Sequence, residues 1–145
     1  MTTWRLRDVA DAVGMSARAL RQAFDLGALR LSGDDKRATG SGSRVGLSIN
    51  RAYDAAIMKQ LNNLGLSLPV AAKAAEEFTN VGNSNRKPGQ LFEHGTTSLL
   101  ITQHGTTVKN TFSDADVLAF PCAIFVNVNA IVDHIDSALI PKKAS

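Results

Sequence analysis

With 145 residues, 44% of them apolar and 20% charged, the chain has material for one good core or two small ones, which excludes a disordered or fibrous protein. Its single cysteine, Cys122, excludes an intrachain disulfide framework and fits a reducing cytoplasm; no charged-then-apolar leader opens the sequence, and the longest apolar run, residues 117–126, is interrupted by Pro121 and has half of the ~20 residues a membrane helix needs. The net charge of +3 is uneven, with ten Lys and Arg against six Asp and Glu in residues 1–60 and six against seven in residues 61–145.

Leu6, Val9, Ala10 and Val13 fall at i, i+3, i+4 and i+7, one face of a helix, and the stripe stops at Gly14, which tolerates the positive φ of a tight helix exit. Ser16 then offers an N-cap hydroxyl to a second helix. Its inner stripe is Ala17, Leu20, Ala23 and Phe24, so Arg18, Arg21 and Gln22 point away. Two short amphipathic helices hinged at a glycine are the pattern of a helix-turn-helix, whose second helix lies in the major groove of double-stranded DNA. On that geometry Ser16, Ala17, Arg18 and Gln22 reach base edges or nearby phosphates, and the small Ser16 and Ala17 permit close approach. The competing reading is a pair of core helices whose charged face is simply solvated.

A turn at Asp25-Leu26-Gly27 leads into residues 29–32, which alternate like a strand. A stretch rich in Gly, Ser, Asp and Lys runs to Ser43, and residues 44–47 read as the returning strand. Such a hairpin forms a wing, with Lys36 and Arg37 in its loop and Arg44 at its base placed to meet phosphates or the minor groove. The plainer alternative is a surface hairpin with solvated charges. Ser48 or Asn50 is expected to cap the next helix, whose apolar face is Ile49, Ala52, Tyr53, Ala56, Ile57, Leu61 and Leu64. Gly65 breaks it. Ser67 caps a fourth helix with Pro69 in its first turn and Val70, Ala71, Ala74, Ala75 and Phe78 on its inner side, ending near Thr79.

The order helix, turn, helix, wing, helix, "LGLSL", helix resembles the N-terminal DNA-binding domain of MerR-type winged-helix regulators. The resemblance rests on Gly14-Met15-Ser16, Leu20-Arg21 and Gly27-Ala28-Leu29, in register without a gap, and on the spacing from Ser48 to Leu64-Gly65-Leu66-Ser67-Leu68. It covers about half the chain and implies that Arg21 contacts the DNA backbone, that Arg18 faces the groove and that Arg44 is the wing arginine, displaced by one position. Three departures stand out. The family's aromatic pair is Gln22-Ala23 here, with Phe24 one place later; the wing tyrosine is Leu47; and the single cysteine argues against metal sensing of the kind some members perform. Members usually dimerise through a long helix after the winged domain, which Pro88 and its Gly-containing surroundings interrupt in this chain.

Residues 80–90, "NVGNSNRKPGQ", have no apolar period and read as a linker. After it, residues 97–102 and 106–112 predict an antiparallel hairpin turning at Gln103-His104-Gly105. The tetrapeptide "HGTT" at 94–97 and again at 104–107 is read as turn chemistry. His94 and His104 lack the third and fourth partners that a metal site needs. Residues 113–116 form a polar turn, and residues 119–129 supply a third strand, with Pro121 at its beginning. Asn127 or Asn129 caps a last helix from about 130 to 139 with Ile131, Ile135, Ala138 and Leu139 on one stripe, His134 on its surface, and a stop at Pro141.

These readings predict an α+β protein: a winged helix-turn-helix in residues 1–79, a linker in 80–90, and a β-hairpin, strand and helix module in 91–145 that dimerises or receives a signal through its uncovered sheet face or last helix. The expected function is that of a cytoplasmic, sequence-specific regulator of transcription that binds double-stranded DNA as a homodimer and contacts RNA polymerase or a recombinase. The expected DNA-binding residues are Ser16, Ala17, Arg18, Arg21, Gln22, Lys36, Arg37 and Arg44. Two alternatives are an architectural DNA-bending protein of the excisionase kind and a protein-interaction adaptor. No Ser/His/Asp, Cys/His or phosphate-loop spacing occurs, so neither an enzyme nor a cofactor or metal site is expected, and Asp114-Ala115-Asp116 reads as a solvated turn.

Overall fold

A computed structural model describes residues 2–35 and 45–141 and shows an α+β protein, with six helices and two small antiparallel sheets among those residues. A two-residue strand, β1 (Trp4–Arg5), runs directly into α1 (Leu6–Val13), which buries Val9, Ala10 and Ala12. Gly14 ends the helix as its sequence requires. At φ 83° its N–H reaches the carbonyls of Ala10 and Asp11 at 2.9 and 3.2 Å. Ser16 Oγ accepts the Ala19 N–H at 3.0 Å and starts α2 (Ala17–Asp25), whose Leu20 and Ala23 are buried.

The strand expected over residues 29–32 is absent, and the segment returning at Gly46 has another partner. β2 (Gly46–Leu47) pairs antiparallel with β1, with Trp4 opposite Leu47. A carboxylate explains the difference. Asp35 accepts the backbone N–H of Ser32 at 2.6 Å, the Ser32 hydroxyl at 3.2 Å and the N–H of Ser48 at 2.7 Å, removing donors that a hairpin ladder would use. Lys36, Arg37 and Arg44, the expected wing cations, lie outside the described residues.

α3 (Ile49–Asn63) is the central helix, and residues 51–58 are buried without a break. Ser48 occupies its N-cap position, but the buried hydroxyl bonds nothing among the described residues, the Asp35 contact being made by its N–H. Leu64, expected on the apolar face, is 68% exposed because the helix ends one residue earlier and the turn at Gly65 releases it from the helical phase. α4 (Leu68–Thr79) starts as expected, with Ser67 Oγ accepting the Val70 N–H at 3.4 Å and Pro69 in the first turn. Val70 is exposed rather than inside. The buried face is set by the small Ala71, Ala72, Ala74 and Ala75 with Phe78, and Val70 falls one position outside it.

The second sheet has the order β4-β3-β5, all antiparallel, from β3 (Thr97–Thr102), β4 (Gly105–Asn110) and β5 (Ile124–Asn127). The hairpin therefore forms where its residues predict, and the third strand is shorter than expected. The polar residues 113–116 start a helix, α5 (Asp114–Leu118), in place of a plain turn. Ser113 and Asp116 cap it reciprocally, and the Ser113 hydrogen bonds hold the Asp116 carboxyl below its usual range. Asn127 Oδ1 accepts the Ala130 N–H at 3.1 Å and opens α6 (Val128–Leu139).

Alternation assigns the two sheet faces. Leu99, Val108 and Val126 share one register row and pack into the core, whereas Leu100, Thr107 and Phe125 point the other way. That second face, expected to be free, is partly covered. Leu100 is buried, the Phe112 ring sits 4.6 Å from that of Phe125, and Asp116 pairs with Lys109 at 3.4 Å.

One core joins the first and last elements. α6 packs across α1 and α3, and Val128, Val132, Ile135 and Leu139 share a cluster with Val9, Leu20, Ile57 and Phe78. Three polar contacts stitch the same seam: Trp4 Nε1 donates to the Leu139 carbonyl at 2.9 Å, Tyr53 donates to Asp136 at 2.6 Å, and His134 Nε2 lies 3.1 Å from the Ala12 carbonyl. Burial, with the Asp136 carboxylate beside it, pushes the Tyr53 phenol above its ordinary pKa. Residues 80–90 wrap around one buried cation. Arg86 donates to the carbonyls of Phe78 at 2.9 Å, Lys87 at 3.2 Å and Gln90 at 3.3 Å, with Val81 at 2.5 Å and Glu77 at 3.4 Å completing the set, and its guanidinium stands over the Phe78 and Phe92 rings. Gly89, at φ 76°, backs onto the Asn50 side chain so closely that a Cβ would force the amide to move.

Candidate nucleic-acid interface

α2 has one face fully committed and one fully open. Leu20 and Ala23 are 0% and 1% exposed, and Ala17 and Phe24 are half-buried against the same core. On the outer side Ser16, Arg18, Arg21 and Gln22 are exposed, and among the described residues the side chains of Arg18, Arg21 and Gln22 have no hydrogen-bond or ion-pair partner. Ser16 spends its acceptor on the helix cap and keeps its O–H free to donate. Ala17 is not on the open face in the same sense, since part of it packs inward.

The turn that aims α2 is held from two sides. Lys59 of α3 donates its ammonium to the Gly14 carbonyl, and His134 of α6 meets the Ala12 carbonyl. Both groups sit at the C-terminal end of α1, where unpaired carbonyls and the helix dipole favour a donor. The open face of α2 is therefore presented by a braced support rather than by an isolated helix.

Other exposed cations extend the patch. Arg21 lines a groove with Leu6, Phe24 and Val45, and Leu6 is flanked by the exposed Arg5 and Arg7. Reasoning from the second helix alone missed these two, although "WRLR" directly before and into the first helix carried the signal. Arg30 also reaches this groove and pairs with Glu76 at 3.8 Å across the surface, a contact worth about 0–1 kcal/mol.

Not every arginine of this half is free. Arg51 is buried and donates to the Arg30 carbonyl at 3.1 Å and to Asn80 Oδ1 at 3.3 Å, with Asp54 at 3.4 Å and Asp35 at 3.7 Å. Thr79 donates to Asp54 at 2.5 Å. Burial lifts the Asp54 carboxyl to about 7, against the pull of Arg51 and Thr79 in the other direction. This buried group ties the loop base at Asp35 to α3 and the end of α4, and it has no surface for a ligand.

The remaining candidates of the sequence separate. His104 packs near the Phe120 ring and beside Gln103, His94 lies in an exposed turn, and among the described residues no three His, Cys, Asp or Glu side chains converge on a metal-sized site. Asp116 is bound by Ser113 and Lys109, and Cys122 is exposed and unbonded. Among the described residues no helix is long and apolar enough to cross a membrane. Comparison with known proteins adds no family: no protein-family model matches the chain, and no curated protein matches it.

Proposed function

We propose that this protein is a sequence-specific regulator of transcription that binds double-stranded DNA through the outer face of α2, with the first two helices acting as a helix-turn-helix, and that two copies act together. The observation that carries the reading is the division of α2: Leu20 and Ala23 are wholly buried, while Arg18, Arg21 and Gln22 are exposed and unpartnered on the opposite side. An exposed arginine engaged in no ion pair suits a phosphate or a guanine edge, and short Ser16 and Ala17 at the helix start keep the backbone close to its target. The braced turn supplies the pre-organisation such a contact needs, and Arg5 and Arg7 add phosphate contacts beside it. Lys36, Arg37 and Arg44 enter as further phosphate contacts on the strength of their sequence alone.

A single module of this size touches few phosphates. Two copies on adjacent half-sites gain affinity from effective concentration and set the spacing of the site. Selection of bound fragments from a genomic duplex library tests both statements. The expected outcome is one enriched motif arranged as two half-sites, with Arg18→Ala changing the preferred bases and Arg21→Ala weakening all sequences and lowering the salt slope by about 0.9. Absence of enrichment, or enrichment untouched by the Arg18→Ala, Arg21→Ala double substitution, overturns the assignment. Enrichment confined to recombination sites would point to the architectural alternative.

A further inference from the structure

The seam between the two halves of the molecule contains a cavity of about 470 Å³, walled by the end of α1, the second half of α3, β5 and the first half of α6. No residue of α2 lines it. We propose that this cavity is a binding site for a compact, uncharged, largely aromatic or aliphatic molecule carrying one N–H or O–H donor. The proposal is independent of the DNA-binding reading.

Its volume falls within the roughly 300–1,000 Å³ of small-molecule sites. Its floor is made by the buried side chains of Leu61, Val126 and Ile135, and its mouth by Leu64, one of the large apolar residues that the molecule leaves exposed. None of the lining residues is Asp, Glu, Lys or Arg, although 20% of the chain is charged. A ligand ion would meet no fixed counter-charge there, so the lining favours a neutral molecule.

The polar groups set the orientation. Gln60 and Asn63 line the cavity on successive turns of α3, and their side chains make no hydrogen bond among the described residues. His134 lines it from α6. A carbonyl oxygen can only accept, so Nε2 is the donor to Ala12, and whenever the ring is neutral Nδ1 is left as an acceptor. Two free amides and one acceptor nitrogen around an apolar floor match a donor-bearing small molecule. A protein partner fits less well: stable protein interfaces engage about 20–30 residues a side, and the mouth offers one exposed large apolar side chain, Leu64.

The test uses N-phenyl-1-naphthylamine, a neutral diarylamine with one N–H, titrated into the full chain and followed by its fluorescence. The expected result is saturable binding of one probe per chain. Ala130→Trp, at an exposed position of the lining, weakens that binding by about tenfold or more without lowering the melting temperature, and His134→Phe weakens it by about threefold to tenfold. Leu118→Asp, on the exposed apolar side of α5, leaves the affinity unchanged. Binding that never saturates, that survives Ala130→Trp, or that is lost in Leu118→Asp overturns the proposal. So does a wild-type dimer in sedimentation that Ala130→Trp dissociates, because a second copy would then cover the cavity.

Discussion

Arg18 and Arg21 on α2 and Arg51 and Arg86 in the interior are the same residue type put to opposite uses. The first pair stands in solvent without partners. Around the second pair, backbone carbonyls and carboxyl groups converge: five carbonyls surround Arg86, and two carboxyl groups, a carbonyl and an amide surround Arg51. A buried guanidinium is tolerated only where such acceptors replace its hydration, whereas an exposed one costs little and remains available. Charge counts therefore say little about where a partner binds, and partnering says more.

The sharpest way to break this contrast is to remove Arg86. Arg86→Ala leaves several buried carbonyls without a donor, and the expected cost is about 3 kcal/mol or more, a fall in melting temperature on the order of 10 °C that calorimetry would detect. A melting temperature unchanged within a degree or two would show that water replaces the guanidinium easily and that its burial is incidental.

Asp54 gives a smaller, pH-dependent effect. Its carboxyl is raised from 3.8 to about 7 by burial, so between these values the folded state holds a proton that the unfolded chain has released. The stability this group contributes is complete below about pH 4 and is lost as the pH rises through 7. Between pH 5.5 and 7 the loss amounts to roughly 1.5 kcal/mol, and Asp54→Asn should remove that slope from urea-denaturation midpoints measured across the range. A wild-type slope identical to that of the variant would mean that Arg51 keeps the carboxylate ionised.

Tyr53→Phe deletes the bond to Asp136 that joins α3 to α6 and keeps the ring against Phe78, 5.9 Å between centroids. The expected loss is about 1 kcal/mol in chemical denaturation. The smallest stability effect belongs to the exposed pair. Arg18→Ala and Arg21→Ala are each expected to stay within about 0.5 kcal/mol of the parent while altering duplex binding as described above. A destabilisation of 2 kcal/mol at either position would show that the open face of α2 has structural partners and would blur the contrast.

Local signals made much of the fold legible. Gly14, Ser16, Ser67 and Asn127 bound their helices because a positive φ or a capping oxygen acts within three residues, and the hairpin of β3 and β4 forms where alternation and a turn coincide. The open face of α2 was legible for the same reason, since its inner stripe is periodic and leaves the arginines outside. Residues 29–32 alternate too, yet the strand fails because Asp35 binds the Ser32 and Ser48 N–H groups, a competition that alternation cannot reveal. Val70 and Leu64 are apolar but exposed, because α3 ends one residue before Leu64 and the buried face of α4 starts one position after Val70.

By itself, the sequence determined five of the six helices, the caps at Ser16, Ser67 and Asn127, the β3–β4 hairpin and the outward side of α2, all consequences of interactions spanning a few residues; α5 and the uncapped start of α3 were not among them. The tertiary structure alone decided which arginines are interior, which strand pairs with Gly46–Leu47, and how α6 closes over α1 and α3 to leave a cavity. Those outcomes depend on groups brought together from opposite ends of the chain, as Trp4 and Leu139 are, and no local periodicity encodes which distant acceptor or apolar face a residue will meet.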